Sequence, residues 1–289
     1  MRRILLSWSS GKDCAWALHL LRQMPNVEVL GLVTTFNHLA DRVAMHAVRR
    51  SLVEAQAERV GLPMWSVELP SPCSNAVYEE LMNAVWERAA AEQIAEIAFG
   101  DLFLQDIREY REQQLRKTCL VPFFPVWHLP TRALAQEMIQ AGVKAKVTCV
   151  DPAKLDRSFA GSEFDDAFVR SLPPLVDPCG ENGEFHTFVY DSPVFSNPIS
   201  IKMGEIIERD GFIFADVKPD GPKDKFKSLR YPAEAGLCET CRHAKVVTSD
   251  RGSAFLWCSL SEKNAEFPRY PRLPVLTCTG WSAADQSDV

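Results

Sequence analysis

Short apolar runs alternate with amphipathic helical segments along the first half of the chain. Apolar runs rich in β-branched residues predict strands at residues 3–8, 27–36, 64–69, 94–99, 120–124 and 144–150. Apolar positions at helical spacing predict helices at residues 13–24, 43–60, 75–92, 104–118 and 131–141. Because strands alternate with helices, we expect an α/β fold with a doubly wound, mainly parallel sheet.

The pattern changes after residue 151. A short helix and three alternating strands are predicted at residues 163–170, 184–190, 199–203 and 211–217, which is typical of an α+β extension. Residues 218–235 are polar with Pro and Lys, as in a linker. We therefore expect an α/β domain at 1–151, an extension with its linker at 152–235 and a small cysteine-rich module at 236–281.

Composition narrows the class of protein. The 289 residues are 46% hydrophobic, which is enough for a sizeable core. A net charge of −6 argues against tight non-specific binding of nucleic acid. No apolar run is long enough for a membrane span, and the start of the chain lacks a signal-peptide pattern. Nine cysteines without such a signal indicate reduced thiols or metal ligands, so a cytoplasmic location is expected.

The loop at residues 7–14, Ser-Trp-Ser-Ser-Gly-Lys-Asp-Cys, joins the first strand to the first helix. Such a turn directs backbone N–H groups and the positive end of a helix dipole at one place, which suits a phosphate. A Walker A loop is excluded, because Leu6 stands where it needs glycine and Asp13 where it needs Ser or Thr. The single Gly11 also excludes the dinucleotide fingerprint. A plain surface turn is the alternative interpretation.

Parallel strands place their carboxyl ends at one edge of a sheet, where ligands bind. That rule gathers further polar residues beside the loop. The predicted nucleotide-binding set is Ser7, Ser9, Ser10, Gly11, Lys12, Asp13, Cys14, Thr34, Gly100 and Asp101.

A second polar segment, residues 179–187, contains two glycines, two carboxylates and a histidine. Glycines allow a close approach of backbone to a ligand, and carboxylates suit an ammonium group or Mg²⁺. The residues of interest are Glu181, Gly183, Glu184, His186 and Thr187. A hairpin turn with solvated charges is the alternative.

The loop resembles the PP-loop of ATP pyrophosphatases, usually Ser-Gly-Gly-x-Asp-Ser. Residues 1–200 resemble the diphthine–ammonia ligase (diphthamide synthase) family in several motifs taken in order. These are Ser-Trp-Ser-Ser-Gly-Lys-Asp at 7–13, Asp-Arg-Val-Ala-Met-His at 41–46, Gly-Asp at 100–101, Phe-Pro-Val-Trp at 124–127, Ser-Phe-Ala-Gly at 158–161 and Gly-Glu-Asn-Gly-Glu-Phe at 180–185.

The resemblance implies a HUP-type (adenine nucleotide alpha-hydrolase-like) sheet and cleavage of ATP to AMP and pyrophosphate. A substrate carboxylate would be adenylated, and ammonia would then displace AMP. The acid could be carried on a protein, and the chain could form a homodimer. The family implies catalytic roles for Lys12, Asp13 and Glu184, a nucleotide contact for His46, and an acyl-substrate site at the 181–187 set. Mg²⁺ would lie near Asp13 and Asp101, although Asp13 could instead only cap the helix. Arg108 and Arg111 on helix 104–118 could reach a phosphate, but a solvated charged face is the favoured interpretation.

Three positions depart from the family pattern. Ser10 replaces a glycine, so we expect the backbone there to be less free. Cys14 replaces a serine and is the weaker hydrogen-bond donor. His186 replaces a glutamate, which affects the substrate more than the ATP chemistry.

Two rival functions stay open. A PP-loop tRNA-modifying enzyme is disfavoured by the acidic charge and by the missing Cys-x-x-Cys in the α/β domain. An adenine-nucleotide sensor without turnover is the other, since Ser10 and Cys14 could record lost catalysis.

The tail carries Cys238-x-x-Cys241 followed by Cys258 and Cys278. The two-residue spacer lets both thiolates bind one tetrahedral metal ion. A structural Zn²⁺ is the first choice, and an iron–sulfur cluster is the second. His243 could replace one ligand. A redox Cys-x-x-Cys is disfavoured because no strand–helix start follows it, and free cysteines in a mobile tail are the remaining interpretation.

Overall fold

Strand β1, with Ile4, Leu5 and Leu6 fully buried, lies in the middle of a parallel sheet. In spatial order the strands are β4 (Met64–Leu69), β2 (Val27–Asn37), β1 (Arg2–Ser7), β5 (Glu96–Ala98) and β6 (Val121–Phe123). All pairings along this order are parallel. The direction of winding reverses at β1, which makes the crevice between β1 and β5 the switch point where ligands bind in such sheets.

Six α-helices lie between the strands in the part of the chain that the structure describes. They are α1 (Lys12–Gln23), α2 (Arg50–Val60), α3 (Asn75–Ala91), α4 (Gln105–Leu115), α5 (Thr131–Gln140) and α6 (Asp166–Ser171). Helix α3 begins at Ser74, whose hydroxyl accepts from the N–H of Val77. Its apolar face, Met82, Trp86 and Ala89, packs in the core that contains Leu5 of β1. The predicted α/β fold with a mainly parallel sheet is confirmed.

A second sheet is entirely antiparallel. Its strand order is β8 (Phe185–Asp191), β7 (Lys144–Val150), β10 (Phe212–Pro219) and β9 (Ile201–Arg209). The prediction that residues 144–150 complete the parallel series is wrong, because β7 pairs with β8 and β10 instead.

The predicted helix at 43–60 is also corrected. Helix α2 begins at Arg50, because Arg42 and Val43 form β3 (Arg42–Val43), which pairs antiparallel with Phe36 and Asn37 of β2. The helical spacing of apolar residues cannot predict this pairing, because the pairing depends on the end of another strand.

The computed structural model describes residues 1–38, 40–43, 47–220, 235–248, 254–264, 266–271, 275 and 277–282. Contacts divide the chain into two units, Met1–Gly221 and Pro222–Val289. The predicted boundary at 151 therefore lies inside one unit, and the three domain limits given above stay predictions. Among the described residues, no helix is long and apolar enough to cross a membrane.

The second unit contains β11 (Ala244–Thr248) and β12 (Ala254–Cys258), which form an antiparallel pair. Short 3₁₀ helices, Leu237–Thr240 and Ser259–Glu262, flank them. Its small core includes Ala235, Cys238 and Leu256.

The fully buried side chain of Gln56 links the two sheets of the first unit. Gln56 of α2 has no exposed surface, and its Oε1 accepts from the indole N–H of Trp8 at 2.8 Å. Its Nε2 donates to the carbonyl of Ser10 at 3.0 Å and to that of Val189 in β8 at 2.6 Å. The N–H of Val189 also donates to the Ser10 carbonyl at 3.0 Å. Gln56 thus ties the loop after β1 to the second sheet.

Substitution Gln56→Leu should lower the free energy of unfolding by about 3–5 kcal/mol, because several buried polar groups would lose their partner. Urea denaturation followed by tryptophan fluorescence measures this. Gln136→Leu, at an exposed position on α5, is the control and should change stability by less than about 0.5 kcal/mol. Equal effects of the two substitutions would contradict this role of Gln56.

Candidate active site

The loop after β1 lies at the switch point against the loop after β5. A Cβ added to Gly100 would be 3.0 Å from backbone atoms of Asp13 and Cys14. Only glycine therefore lets the end of β5 approach the first turn of α1 this closely. Gly100, predicted to bind nucleotide, has this packing role in the structure.

Ser10 occupies a conformation that favours glycine, with a φ of 74°. Its side chain is fully buried, and its hydroxyl makes no hydrogen bond with the described residues. We expected the backbone at Ser10 to be less free than at a glycine, yet it adopts the conformation that a glycine would. The serine adopts the glycine-like turn, and Gln56 and Val189 hold its carbonyl in place.

The start of α1 is held from the second sheet. Gly11 at the N-cap has no side chain to cap the helix, and the N–H of Lys12 donates to the Thr187 hydroxyl at 3.1 Å. Thr187, predicted to face the acyl substrate, therefore stabilises the loop. The thiol of Cys14 donates to the Gly11 carbonyl at 3.0 Å, and burial raises the pKa of Cys14 to about 11. This thiol is a structural donor and a poor nucleophile.

Lys12 is buried, with 2% of its side chain exposed. Its Nζ donates to Asp13 at 3.0 Å and to the carbonyl of Cys179, and it lies over the rings of Phe164 and Phe185. Burial opposes the charge, but the Asp13 carboxylate and nearby acidic groups outweigh it and raise the pKa of Lys12. The ammonium thus holds residues 177–187, which extend the second polar segment by two residues and are called the 177–187 segment below, against the loop.

Within that segment, Glu184 is bonded to its neighbours. Its Oε1 accepts from the N–H of Asp177 at 2.9 Å and from the Asn182 amide at 3.0 Å. Its Oε2 is buried and makes no hydrogen bond with the described residues. Gly183 has a φ of 78°, which the turn between Asn182 and Glu184 requires. These contacts position the turn, and the catalytic role of Glu184 stays a prediction.

Glu181 reaches the loop after β5. Its Oε1 accepts from the N–H of Leu102 at 2.7 Å and from that of Phe103 at 3.3 Å. Burial, with added repulsion from Asp13 and Asp101, raises the pKa of Glu181 to about 7 despite those two donors. A carboxyl group with this pKa can exchange a proton near neutral pH.

His186 lies in β8 opposite Cys149 of β7. Burial, reinforced by the charge of Lys12, lowers the pKa of His186 to about 4. The imidazole is therefore neutral at pH 7, so the position occupied by a carboxylate in the family pattern carries no charge here.

A cavity of about 220 Å³ opens beside the loop, on the sheet face covered by α3 and α4. Ser7 and Ser9 line it together with Thr35 and Arg111. Apolar side chains complete its wall: Val33, Val43, Met82, Trp86, Ile97 and Phe99. This volume suits a group of nucleoside size, and the serines place hydroxyl groups at its rim.

Some predicted residues lie elsewhere. The hydroxyl of Thr34 is buried and donates to the Trp8 carbonyl at 2.9 Å, so Thr35, on the other face of β2, lines the cavity instead. Alternation along β2 could have revealed this difference. Asp101 lies 3.5 Å from Arg111, and burial raises the pKa of Asp101. His46 lies outside the described residues.

Among the described residues, no group of three or more His, Cys, Asp or Glu side chains is arranged to hold a metal ion. For Mg²⁺ this is no obstacle, because it is usually bound by one or two carboxylates and by substrate phosphates. Asp13 fits such a role, since its Oδ1 is buried and makes no hydrogen bond within the described chain. The four tail cysteines do not form a preassembled metal cage.

Comparison with known proteins gives concordant matches. The Diphthamide synthase N-terminal domain model matches residues 1–120, and the Diphthamide synthase C-terminal domain model matches residues 130–218. A diphthine–ammonia ligase of Bos taurus is 25% identical over 238 residues, which are 74% of this chain and 88% of that protein. The Homo sapiens protein of the same name is 24% identical over the same shares. That of Danio rerio is 26% identical over 236 residues, 72% of this chain and 90% of the relative.

Substitution Glu181→Gln should change how stability depends on pH. The folded chain keeps the Glu181 proton to about pH 7, whereas the usual pKa is 4.5, so wild-type stability falls as the pH rises through this range. The melting temperature of the variant relative to wild type should therefore rise by about 3–6 °C between pH 5 and pH 8.

Thermal melts across that pH range measure this difference. His186 changes stability with pH in the opposite direction, but it is present in both proteins, so its contribution cancels in the difference between them. Glu137→Gln, on the exposed face of α5, is the control. A difference between Glu181→Gln and wild type that is constant with pH would refute the shifted pKa.

Proposed function

The chain belongs to the diphthamide synthase family, and on this basis we propose that it is an ATP-dependent amide-forming ligase. The observation that carries the proposal is the Ser-rich loop at the β1–β5 switch point, beside a nucleoside-sized cavity and under the 177–187 segment. The named relatives join diphthine and ammonia. For this chain we infer an acid substrate carried on a protein, with ammonia as the acceptor.

The reaction has two steps, and each forms one bond and breaks another. A carboxylate oxygen of the substrate attacks the α-phosphorus of ATP, and the α–β bridge breaks to release pyrophosphate. Ammonia then attacks the acyl carbon, loses a proton and expels AMP. Adenylation is needed because a carboxylate has no usable leaving group. The barrier then falls mainly through positioning and neutralisation of phosphate charge.

The residues of this chain divide these tasks. Ser7 and Ser9 supply hydroxyl donors at the cavity, and Lys12 fixes the 177–187 segment over the loop. We assign to Glu181, whose pKa is raised, the task of taking the proton that ammonia loses. Mg²⁺ bound to the phosphates with Asp13 would neutralise their charge.

The test is a product assay on the full chain with ATP, Mg²⁺, ammonium and candidate carboxylic acids. We expect AMP and pyrophosphate in equal amounts, dependent on both the acid and ammonium. Ser9→Ala should slow product formation about tenfold if its hydroxyl binds phosphate, whereas Ser171→Ala, far along the chain at the end of α6, should not. ADP and phosphate as products would refute the proposal, and tight ATP binding without any product would favour the sensor.

We also propose that the second unit binds a structural Zn²⁺ through its four cysteines, with an iron–sulfur cluster as the alternative. Three of them, Cys238, Cys258 and Cys278, line one cavity in this unit. Cys258 pairs in register with Ala244, whose N–H donates to the Cys241 carbonyl at 3.0 Å. Since no cage is preassembled, metal binding would have to draw the thiols together.

Elemental analysis of the purified chain tests this. We expect about one zinc ion per chain, lost in Cys258→Ser and retained in the control Cys73→Ser. A chain with neither zinc nor iron, prepared without chelators, would refute the metal site.

A further inference from the structure

Lys12, the cation expected to bind the phosphates, already has partners within the protein. Lys12 donates to Asp13 and to the Cys179 carbonyl, and two aromatic rings enclose it. Its side chain is almost fully buried and is absent from the walls of the nucleoside-sized cavity. Moving it outward would break the contact that holds the 177–187 segment in place.

A different cation does face this cavity. Arg111 of α4 lines it together with Ser7 and Ser9, and a quarter of its side chain is exposed. Its guanidinium lies over the ring of Phe99, 4.8 Å from the centroid. From sequence, this arginine and Arg108 could reach a phosphate, but the favoured interpretation assigns both to the solvated face of a helix that is polar over most of its length.

Asp101 lies at ion-pair distance from Arg111 but forms no hydrogen bond with it. The Nε of Arg111 lies 3.5 Å from Oδ2 of Asp101, and both atoms are buried without a hydrogen bond to any described residue. Within the described chain no other carboxylate is within ion-pairing distance of Arg111. The side chain is therefore fixed by Asp101 and by Phe99, while its charge remains available at the cavity.

We propose that Arg111 binds a phosphate group of the nucleotide at this cavity. The inference rests on the proposed ATP-dependent function. The planar guanidinium presents paired donors that match phosphate oxygens, and a partly desolvated wall strengthens that contact. Lys12 then serves to position the 177–187 segment, and Arg111 supplies the charge that the phosphates meet.

Arg108 provides a matched control. It lies one turn earlier on α4, is bonded to Glu112 at 2.7 Å and lies over the rings of Phe124 and Trp127. It does not line the cavity. A comparison of the two arginines thus separates a specific contact from the general charge of the helix.

The experiment measures binding of adenosine, AMP and ATP to the full chain by calorimetry. Arg111→Gln should weaken ATP binding about 10- to 100-fold and leave adenosine binding within about twofold of wild type. An accompanying loss for AMP would assign the contact to the α-phosphate, and unchanged AMP would assign it to the β or γ group. Arg111→Lys should recover part of the ATP affinity, and Arg108→Gln should match wild type.

Several outcomes would overturn the inference. An equal loss of adenosine and ATP binding in Arg111→Gln would mean that the side chain only supports the cavity wall. Unchanged ATP binding would refute the contact directly. If removal of the charge beside Asp101 unfolds the chain, the double variant Asp101→Asn/Arg111→Gln replaces it with the same expected difference between adenosine and ATP. A wild-type chain that binds neither AMP nor ATP would refute the proposed function together with this inference.

Discussion

The amide of Gln56 is the constraint on which the arrangement of the site depends. It is fully buried, so each of its polar atoms must find a partner within the protein. The partners are Trp8 and Ser10 on one side and Val189 of the second sheet on the other. Because one rigid amide satisfies all of them, the loop after β1 and strand β8 have a single relative position. The parallel sheet and the antiparallel sheet are thereby fixed around the same loop.

The charges of the site follow from that arrangement. Once β8 lies against the loop, Thr187 caps α1 and the Cys179 carbonyl meets Lys12. A buried ammonium is tolerated only with close partners, and Asp13 completes the set. The same closeness leaves Glu181 among other acidic groups and raises its pKa. Lys12 is thus hydrogen-bonded in the contact between the two sheets, and Arg111 is the cation that lines the cavity.

The residues of the site differ in how far local pattern could locate them. The strand–loop–helix order predicted Ser7 and Ser9 at the ligand-binding edge of the sheet, because the edge rule for parallel sheets needs only the order of elements. Both serines line a cavity in the structure. The prediction named Thr34, whereas Thr35 lines the cavity, and a difference of one residue along a strand changes the face on which a side chain lies. The sequence pattern assigns Arg111 with Arg108 to a solvated charged face, because what separates the two arginines is the contact of Arg111 with Asp101 and Phe99 and not the pattern of their helix.

The sequence by itself determined the family, the α/β class and the alternation of helices with the parallel strands of the first sheet, because each of these depends on local periodicity and short motifs. Only the tertiary structure decided that β7 belongs to the antiparallel sheet, that Thr187 caps α1 and that Lys12 is enclosed. The last two outcomes depend on partners more than 100 residues away along the chain, since Lys12 binds Cys179 and Thr187. The first depends on strands that lie far beyond the range of a local pattern. Local patterns specify which residues are apolar or polar, but hydrogen-bond satisfaction in a shared core selects which distant segments meet.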